Sequence, residues 1–422
     1  MRVGITITLV IIQLLTFCKA SSDSKGQGLE VIDVVSGLKD KGVFYISSFA
    51  EDVQYIPLSG SEMPFIRGIN LLGSTNKYMF ISDIRGCYLF DTTGQFIRSI
   101  GARGRGPGEY PYIGQIAIGE DQRVFIYCLK KLYEFNIGGI FQKATDFYDN
   151  SSAEGYLGNW LYLNNGRFLV QVRNDTGSEK HKAVVLNTQG EALAYFPNYI
   201  VFEKARESVA TISIISSAYH FNDSIRYKEL FNDTLFSLVG GTTLIPLLRF
   251  NLGSYKADYM EYSNDLLGKA KFTREWARIN DVFETSQFLF FDLQTTLEYL
   301  KRPEPFHERG FDFDYYTTHM LGIYDKTKRE TAFVDITRTD EILLRTGLFN
   351  DIDGGPKFLP RFRMGENKFA MPIDAFELKR YIKSESFRDA HAKYPEKKRA
   401  LEELVNSLKE DSNPVLMVVR MK

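Results

Sequence analysis

The chain has 422 residues, of which 52 are basic and 53 acidic, for a formal net charge of −1. With charge this balanced and no long basic tract, there is no global field to draw in nucleic acid, so a nucleic-acid partner is excluded from the expectations. Hydrophobic residues make up 44% and aromatics 14%, with 33 Phe and 24 Tyr but only 2 Trp; this composition favours a large β-rich core.

The chain opens with a charged start, Met1-Arg2, and an apolar run from Gly4 to Phe17 that is broken only by Thr6, Thr8, Gln13 and Thr16. The run is short for a membrane span and suits the apolar core of an export signal, assigned to residues 1–20. Two processing routes stay open. In "LLTFC", Cys18 stands where a lipoprotein signal carries its lipid, although Phe17 replaces the small residue usual before it; alternatively the chain is cut after Ala20. Either route expects an exported protein, in the periplasm or at the outer membrane and cell surface; on the first, a lipid on Cys18 is its only hold on the membrane. Residues 21–50, beginning "SSDSKGQG", read as a polar tether leading into the first strand.

From residue 51 the informative signal is an internal repeat. "YMFISDIRGCYLFDTTGQFI" from Tyr78 aligns without gaps on "RVFIYCLKKLYEFNIGGIFQ" from Arg123, at an offset of 45 residues. Phe80 matches Phe125, Tyr88 matches Tyr133, Phe90 matches Phe135, Gly94 matches Gly139, and Arg85 matches Lys130. Each copy reads as strand, turn, strand, glycine hairpin, strand. Weaker copies recur at "RFLVQV" with "KAVVLNTQGEALAYF", at "NDTLFSLVGGTTLIPLLRF" and at "HMLGIYDKTKRETAFV". Cys87 and Cys128 fall on neighbouring units and read as small apolar strand residues.

Short strands at this period are the signature of a β-propeller. Two segments read as helical insertions, one near 255–284 and one near 376–410; in the latter "PEKKRALEELVNSLKE" is amphipathic, with Pro395 near its start. Subtracting them leaves roughly 300 residues, enough for six or seven units of about 45. The fold expected over 51–422 is all-β: a six-bladed propeller with short helical insertions. The terminal "NPVLMVVRMK" is expected to close the ring by pairing with residues near Val53–Leu58.

Between two copies lies "GARGRGPGEY", Gly101–Tyr110. No Lys-Ser or Lys-Thr pair and no helix follow its glycines, so neither a phosphate loop nor a dinucleotide fingerprint is satisfied. It reads as an inter-blade link whose glycines, Gly106 among them, supply positive φ. Arg103 and Arg105 in the link, with Arg85 and Lys130 in the repeat, are the candidate ligand-binding cations. If Arg85 and Lys130 face the funnel they form a basic arc suited to an acidic sugar; otherwise they meet water or pair with Asp83 and Glu134. In "FNDIDGGPKF", Asp351 and Asp353 have the spacing of the first ligands of a calcium loop but lack the distal Glu, and an Asx-type turn is the alternative. Calcium is the only cofactor considered. The five histidines form no HExxH motif, and no GxSxG elbow appears.

The stretch "FIRSIGARGRGPGEYPYIGQIAIGEDQRVFIY" resembles the repeat of NHL-type propellers. With "VQYIPLS", "RYKELFNDTLFSL", "LFNDIDGGPKFLPRF" and "NPVLMVVRMK", the chain resembles a six-bladed β-propeller family of exported, lipoprotein-like proteins of Gram-negative bacteria. The resemblance implies fold and compartment and no particular reaction. Two functions are therefore expected: a monomeric binding module for a carbohydrate, peptide or partner protein in the cell envelope, or a propeller enzyme, a polysaccharide lyase or hydrolase, whose acid and base converge in the central funnel.

Overall fold

The computed structural model describes residues 29–119, 122–147, 157–202, 216–259, 274–308, 311–336, 346–365 and 367–422, with side chains outside 298–318. Six antiparallel sheets follow one another along the chain. Blade one holds Leu71–Ser74, Tyr78–Ser82, Cys87–Asp91 and Phe96–Ser99. Blade two holds Gln115–Ile118, Val124–Cys128, Lys131–Phe135 and Phe141–Asp146. Blade three comprises Leu157–Tyr162, Arg167–Val172, His181–Asn187 and Ala192–Pro197, and blade four Ser216–Phe221, Ser224–Glu229, Thr234–Val239 and Thr243–Asn251. Blade five is built from Ala277–Glu284, Phe288–Glu308, Phe311–Asp325 and Glu330–Val334. Blade six takes Phe362–Arg363, Lys368–Ile373 and Val415–Met421 from the end of the chain and Ala50–Pro57 from its beginning. The protein is a six-bladed β-propeller.

The borrowed strand closes the ring as the sequence implied: Val415 pairs with Pro57 and Val419 with Val53. The N-terminal segment does more than lead into it. Glu30–Asp33 runs parallel to the outer strand of blade four, and Lys41–Gly42 parallel to that of blade five. Residues expected to be a loose tether thus cover two outer edges before entering a third, which removes backbone groups that would otherwise template aggregation.

The repeat has a packing reason. Gly94 and Gly139, 45 residues apart, sit at φ +89° and +75° in the hairpins before the outer strands of blades one and two. A Cβ on Gly94 would come within 2.4 Å of the Pro57 carbonyl oxygen, and one on Gly139 within 2.6 Å of the Ser99 carbonyl oxygen. Each hairpin therefore lies hard against the outer end of the preceding blade, where only glycine meets both the turn and the approach. Apolar clusters fill the six blade interfaces; Phe80, Ile126 and Phe135, for example, meet between blades one and two. Cys87 and Cys128 are buried there and unbonded, and burial pushes the Cys87 thiol up to about 12, as befits inert core residues.

The helical insertion near 376–410 is present as Ala375–Ile382, Glu385–Asp389 and Pro395–Ser407. The one expected near 255–284 needs correction. Residues 260–273 lie outside the described residues, but Ala277–Glu284 is the inner strand of blade five. A bulge between Ile279 and Asp281 breaks its alternation. Arg278, Asp281 and Glu284 then recur every third residue, which mimics one face of a helix.

Buried ions tie the later blades together. Lys182 of blade three meets Glu229 of blade four at 3.3 Å. Glu284 of blade five accepts Arg226 Nε of blade four at 2.9 Å, Tyr219 Oη at 3.2 Å and Lys326 Nζ at 2.7 Å. Asp281 accepts Arg363 of blade six at 3.0 Å. Lys228 is fully buried, and its Nζ donates to the carbonyls of Glu229 (2.6 Å), Asn232 (2.6 Å) and, across the blade boundary, Ile279 (3.3 Å). Substituting Glu284→Gln leaves Arg226 and Lys326 facing a neutral group in a mostly buried site. It should lower unfolding free energy by about 3 kcal/mol, measured by chemical denaturation. A loss no larger than that from Glu51→Gln at the exposed rim would show that the cluster adds no stability.

Candidate functional site

In every blade the strands alternate in direction. The hairpin joining the second and third strands therefore opens on the same ring face as the link to the next blade. Arg85 and Lys130 occupy such hairpins, and Arg103 and Arg105 lie in such a link, so all four candidates share one face. They lie in these loops and not on the inner strands, Leu71–Ser74 and Gln115–Ile118. Arg85 Nε lies 3.5 Å from Asp83, and its guanidinium donates to the Phe65 carbonyl. Asp83 is buried and also accepts the amides of Arg85 (2.8 Å) and Gly86 (3.0 Å) and the Tyr88 hydroxyl (3.2 Å). Glu134 is paired with Arg123 at 3.2 Å and Lys143 at 3.6 Å.

The Gly101–Tyr110 segment is an inter-blade link held from within. The Glu109 carboxylate accepts the Gly106 amide at 2.8 Å, and the buried Tyr110 hydroxyl donates to the Ile100 carbonyl at 3.1 Å. Positive φ falls on Gly101 (+63°) and Gly108 (+77°), and not on Gly106 as the sequence suggested. Gly104 and Gly106 are small because Glu109 folds over them: a Cβ would lie 1.8 and 3.1 Å from its carboxylate. Arg103 Nε donates to the Pro111 carbonyl at 2.9 Å, and its Nη1 reaches the Ile84 carbonyl at 3.5 Å. Arg105 is exposed.

Around these cations stand large apolar side chains that single-residue reasoning missed. Ile84 is 61% exposed and Leu129, its counterpart 45 residues on, is 57% exposed; Phe65 (49%) and Tyr112 (43%) flank them. Hydrogen bonds from Arg85 to the Phe65 carbonyl and from Arg103 to the Ile84 carbonyl tie the segments that carry Phe65 and Ile84 to these cations. Leu129 and Lys130 form the two-residue turn between Cys128 and Lys131 and adopt φ +45° and +66°. Such turns normally take Asn or Gly, as Asn222-Asp223 does at φ +46° and +57° in blade four. A leucine in this conformation costs about 1 kcal/mol or more, and here it is also left in solvent. The repeat alignment contained the clue, since positions 84 and 129 are both apolar where a hairpin tip should be polar.

On blade five, His319 Nδ1 lies 2.9 and 3.0 Å from the two carboxylate oxygens of Asp292, which also accepts Asn280 Nδ2 at 3.1 Å. The carboxylate fixes the ring of His319, whose side chain is 44% exposed. His319 and Asp292 are 27 residues apart, beyond the reach of motif reading.

Asp351 and Asp353 occupy the turn that the sequence indicated, but their carboxylates diverge. Asp351 accepts the amide of Ser47 at 3.0 Å and its hydroxyl at 2.6 Å. Asp353 accepts Asn350 Nδ2 (2.6 Å), the Gly355 amide (2.8 Å) and the Tyr55 hydroxyl (3.2 Å). Among the described residues no group of three or more His, Cys, Asp or Glu side chains is placed to hold a metal ion. Cys18 lies outside the described residues. Burial raises the Asp353 carboxyl from 3.8 to about 6, against the opposing effect of its hydrogen bonds. The folded state therefore holds a proton that the unfolded state releases. The stability this provides is complete below pH 4 and is lost as pH rises through 6, with a span of order 2–3 kcal/mol. Asp353→Asn should be more stable than the parent at pH 8, with the gap closing toward pH 4, measured by urea titration across that range. A difference independent of pH would exclude this titration.

Comparison with known proteins adds the fold and the family. No curated protein matches the chain. A crystal structure from Bacteroides fragilis NCTC 9343, named "Putative exported protein (BF0058)", aligns with TM-score 0.65 at 17% identity, over 93% of this chain and 99% of that one. A member of the DUF4221 family from Bacteroides vulgatus aligns with TM-score 0.46 at 12% identity, over 67% of this chain and 84% of that one. Residues 29–420 match the family described as domain of unknown function (DUF4934), and the chain belongs to that family.

Proposed function

We propose that this propeller is an exported binding module. Its ring face on blades one and two docks an acidic partner protein that also carries apolar side chains. The carrying observation is Leu129, exposed at the tip of a left-handed turn that disfavours it. Backbone strain with solvent-facing apolar surface is tolerated where a partner covers it. Arg103 is oriented by two backbone carbonyls, which hold its direction without cancelling its charge, while Arg85 is shared between Asp83 and the Phe65 carbonyl. The charged start, the apolar run to Phe17 and the name of the Bacteroides fragilis relative support export.

The test displays acidic leucine-containing peptides and, separately, uronic-acid oligosaccharides to the parent, to Arg85→Ala/Lys130→Ala and to Ile84→Ser/Leu129→Ser. Peptide binding should weaken with salt in the parent and lose that dependence in the first variant. The second variant should weaken binding about tenfold. Binding and salt response unchanged in both variants would overturn the proposal, and binding of the oligosaccharide alone would replace protein by glycan. A lipid anchor on Cys18 belongs to the same proposal. Mass spectrometry of the mature protein should find an N-terminal acylated Cys18, whereas an unmodified chain beginning at Ser21 removes the anchor and keeps export.

A second function rests on the Asp292–His319 pair, which gives the enzyme alternative a proton-transferring group. Turnover of a polysaccharide that His319→Gln abolishes would favour it over binding.

A further inference from the structure

A cleft of about 580 Å³ lies between the link from blade five to blade six and the helical insertion of blade six. Its volume lies within the range of small-ligand sites. Three segments distant in sequence form it, and each is fixed. Tyr45 is bridged to Phe349: the Phe349 amide donates to the Phe44 carbonyl and the Ile46 amide to the Phe349 carbonyl, both at 2.8 Å. The Tyr381 hydroxyl holds the Gly354-Gly355 turn by donating to both carbonyls, at 3.2 and 2.9 Å. The Lys393 amide donates to the Asp351 carbonyl at 2.7 Å, which docks the middle of the insertion, between its second and third helices. Tyr45 nevertheless leaves 48% of its surface in solvent. Its ring centroid lies 6.2 Å from that of Phe349, tilted by 53°.

We propose that this cleft is a binding site for a neutral oligosaccharide, with one sugar ring seated on the Tyr45–Phe349 aromatic surface. Aromatic faces carry negative quadrupole density and attract the C–H face of a pyranose. The remaining lining mixes donors and acceptors: Asp389, Ser386 and His391 from the insertion, Lys357 from the link. A sugar presents hydroxyls that donate and accept in turn and can meet all four. A wholly apolar ligand would take water from Asp389, Ser386 and His391 and give them no hydrogen bond in return, at a cost in affinity. A strongly charged ligand of either sign would meet a like charge, because the lining holds Asp351 and Asp389 as well as Lys357, whose ammonium lies 4.2 Å from the Phe349 ring centroid.

The experiment is calorimetric titration of the full chain with a panel of neutral hexose and N-acetylhexosamine oligosaccharides. At least one should bind with an affinity insensitive to salt. Tyr45→Ala and Asp389→Ala should each weaken it about tenfold or more, while Tyr45→Trp retains it and melting temperatures stay at the parent value. Arg85→Ala/Lys130→Ala should leave sugar binding intact, so failure here and failure of the blade-one surface can be told apart. Absence of binding across the panel, or binding indifferent to both alanine variants, would overturn the proposal.

Discussion

Ring closure is the constraint on which the rest of this structure depends. Six twisted sheets in a circle expose no edges at the seam only if the last blade finds its outer strand, and here that strand comes from residues 50–57. The pairing joins the two ends of the chain, so neither blade six nor its neighbour is complete until both have been made. The N-terminal segment extends the same device by covering the outer strands of blades four and five on its way to the seam. Blades four to six are thus sealed by one continuous segment, while blades one to three are each built from consecutive residues.

That division matches the two kinds of blade interface. Blades one and two meet through an apolar cluster and near-identical hairpins, a contact that would serve equally for another copy of the repeat. From blade three onward the interfaces also carry ion pairs whose partners are unique: Lys182 with Glu229 and Arg226 with Glu284, both buried, and the half-buried Arg363 with Asp281. A buried ion pair adds little net stability, because desolvation offsets attraction. A wrong neighbour, however, would leave a charge buried alone, at several kcal/mol. In a ring of similar blades, that penalty discriminates between arrangements that apolar packing alone would accept.

How much was legible follows from the range of each interaction. The blades, the seam and the insertion at 376–410 follow from period, alternation and amphipathicity, which are local or repeat at fixed spacing. The inner strand of blade five was hidden by one bulged residue, because a single extra residue changes the apparent period of Arg278, Asp281 and Glu284. The Gly101–Tyr110 segment is the inter-blade link that its place between two copies implies, but its glycines play roles other than those expected. Gly106 is needed for space beneath Glu109, and nothing in a glycine's letter separates lack of room from positive φ. Asp351 was visible as a turn residue, but its partner Ser47 is 304 residues away and no spacing rule reaches it.

The cleft, too, joins residues far apart in the chain. Tyr45 and Ser47 precede the borrowed strand and Tyr55 lies on it, while Phe349, Asp351, Asp353 and Tyr381 come from the other end of the chain. These groups meet only because the ring closes at this seam, so the interactions that complete the fold also assemble the cavity. A site built at the seam senses closure directly. Opening blade six separates Tyr45 from Phe349 and Ser47 from Asp351 at once, whereas the cationic surface on blades one and two, built from consecutive residues, stays intact. Binding energy at the cleft therefore adds to the stability of the closed ring by linkage, while binding at the blade-one surface does so only through the blade it touches. The two surfaces are accordingly coupled to folding in different ways, and that difference comes from chain topology rather than from the chemistry of either ligand.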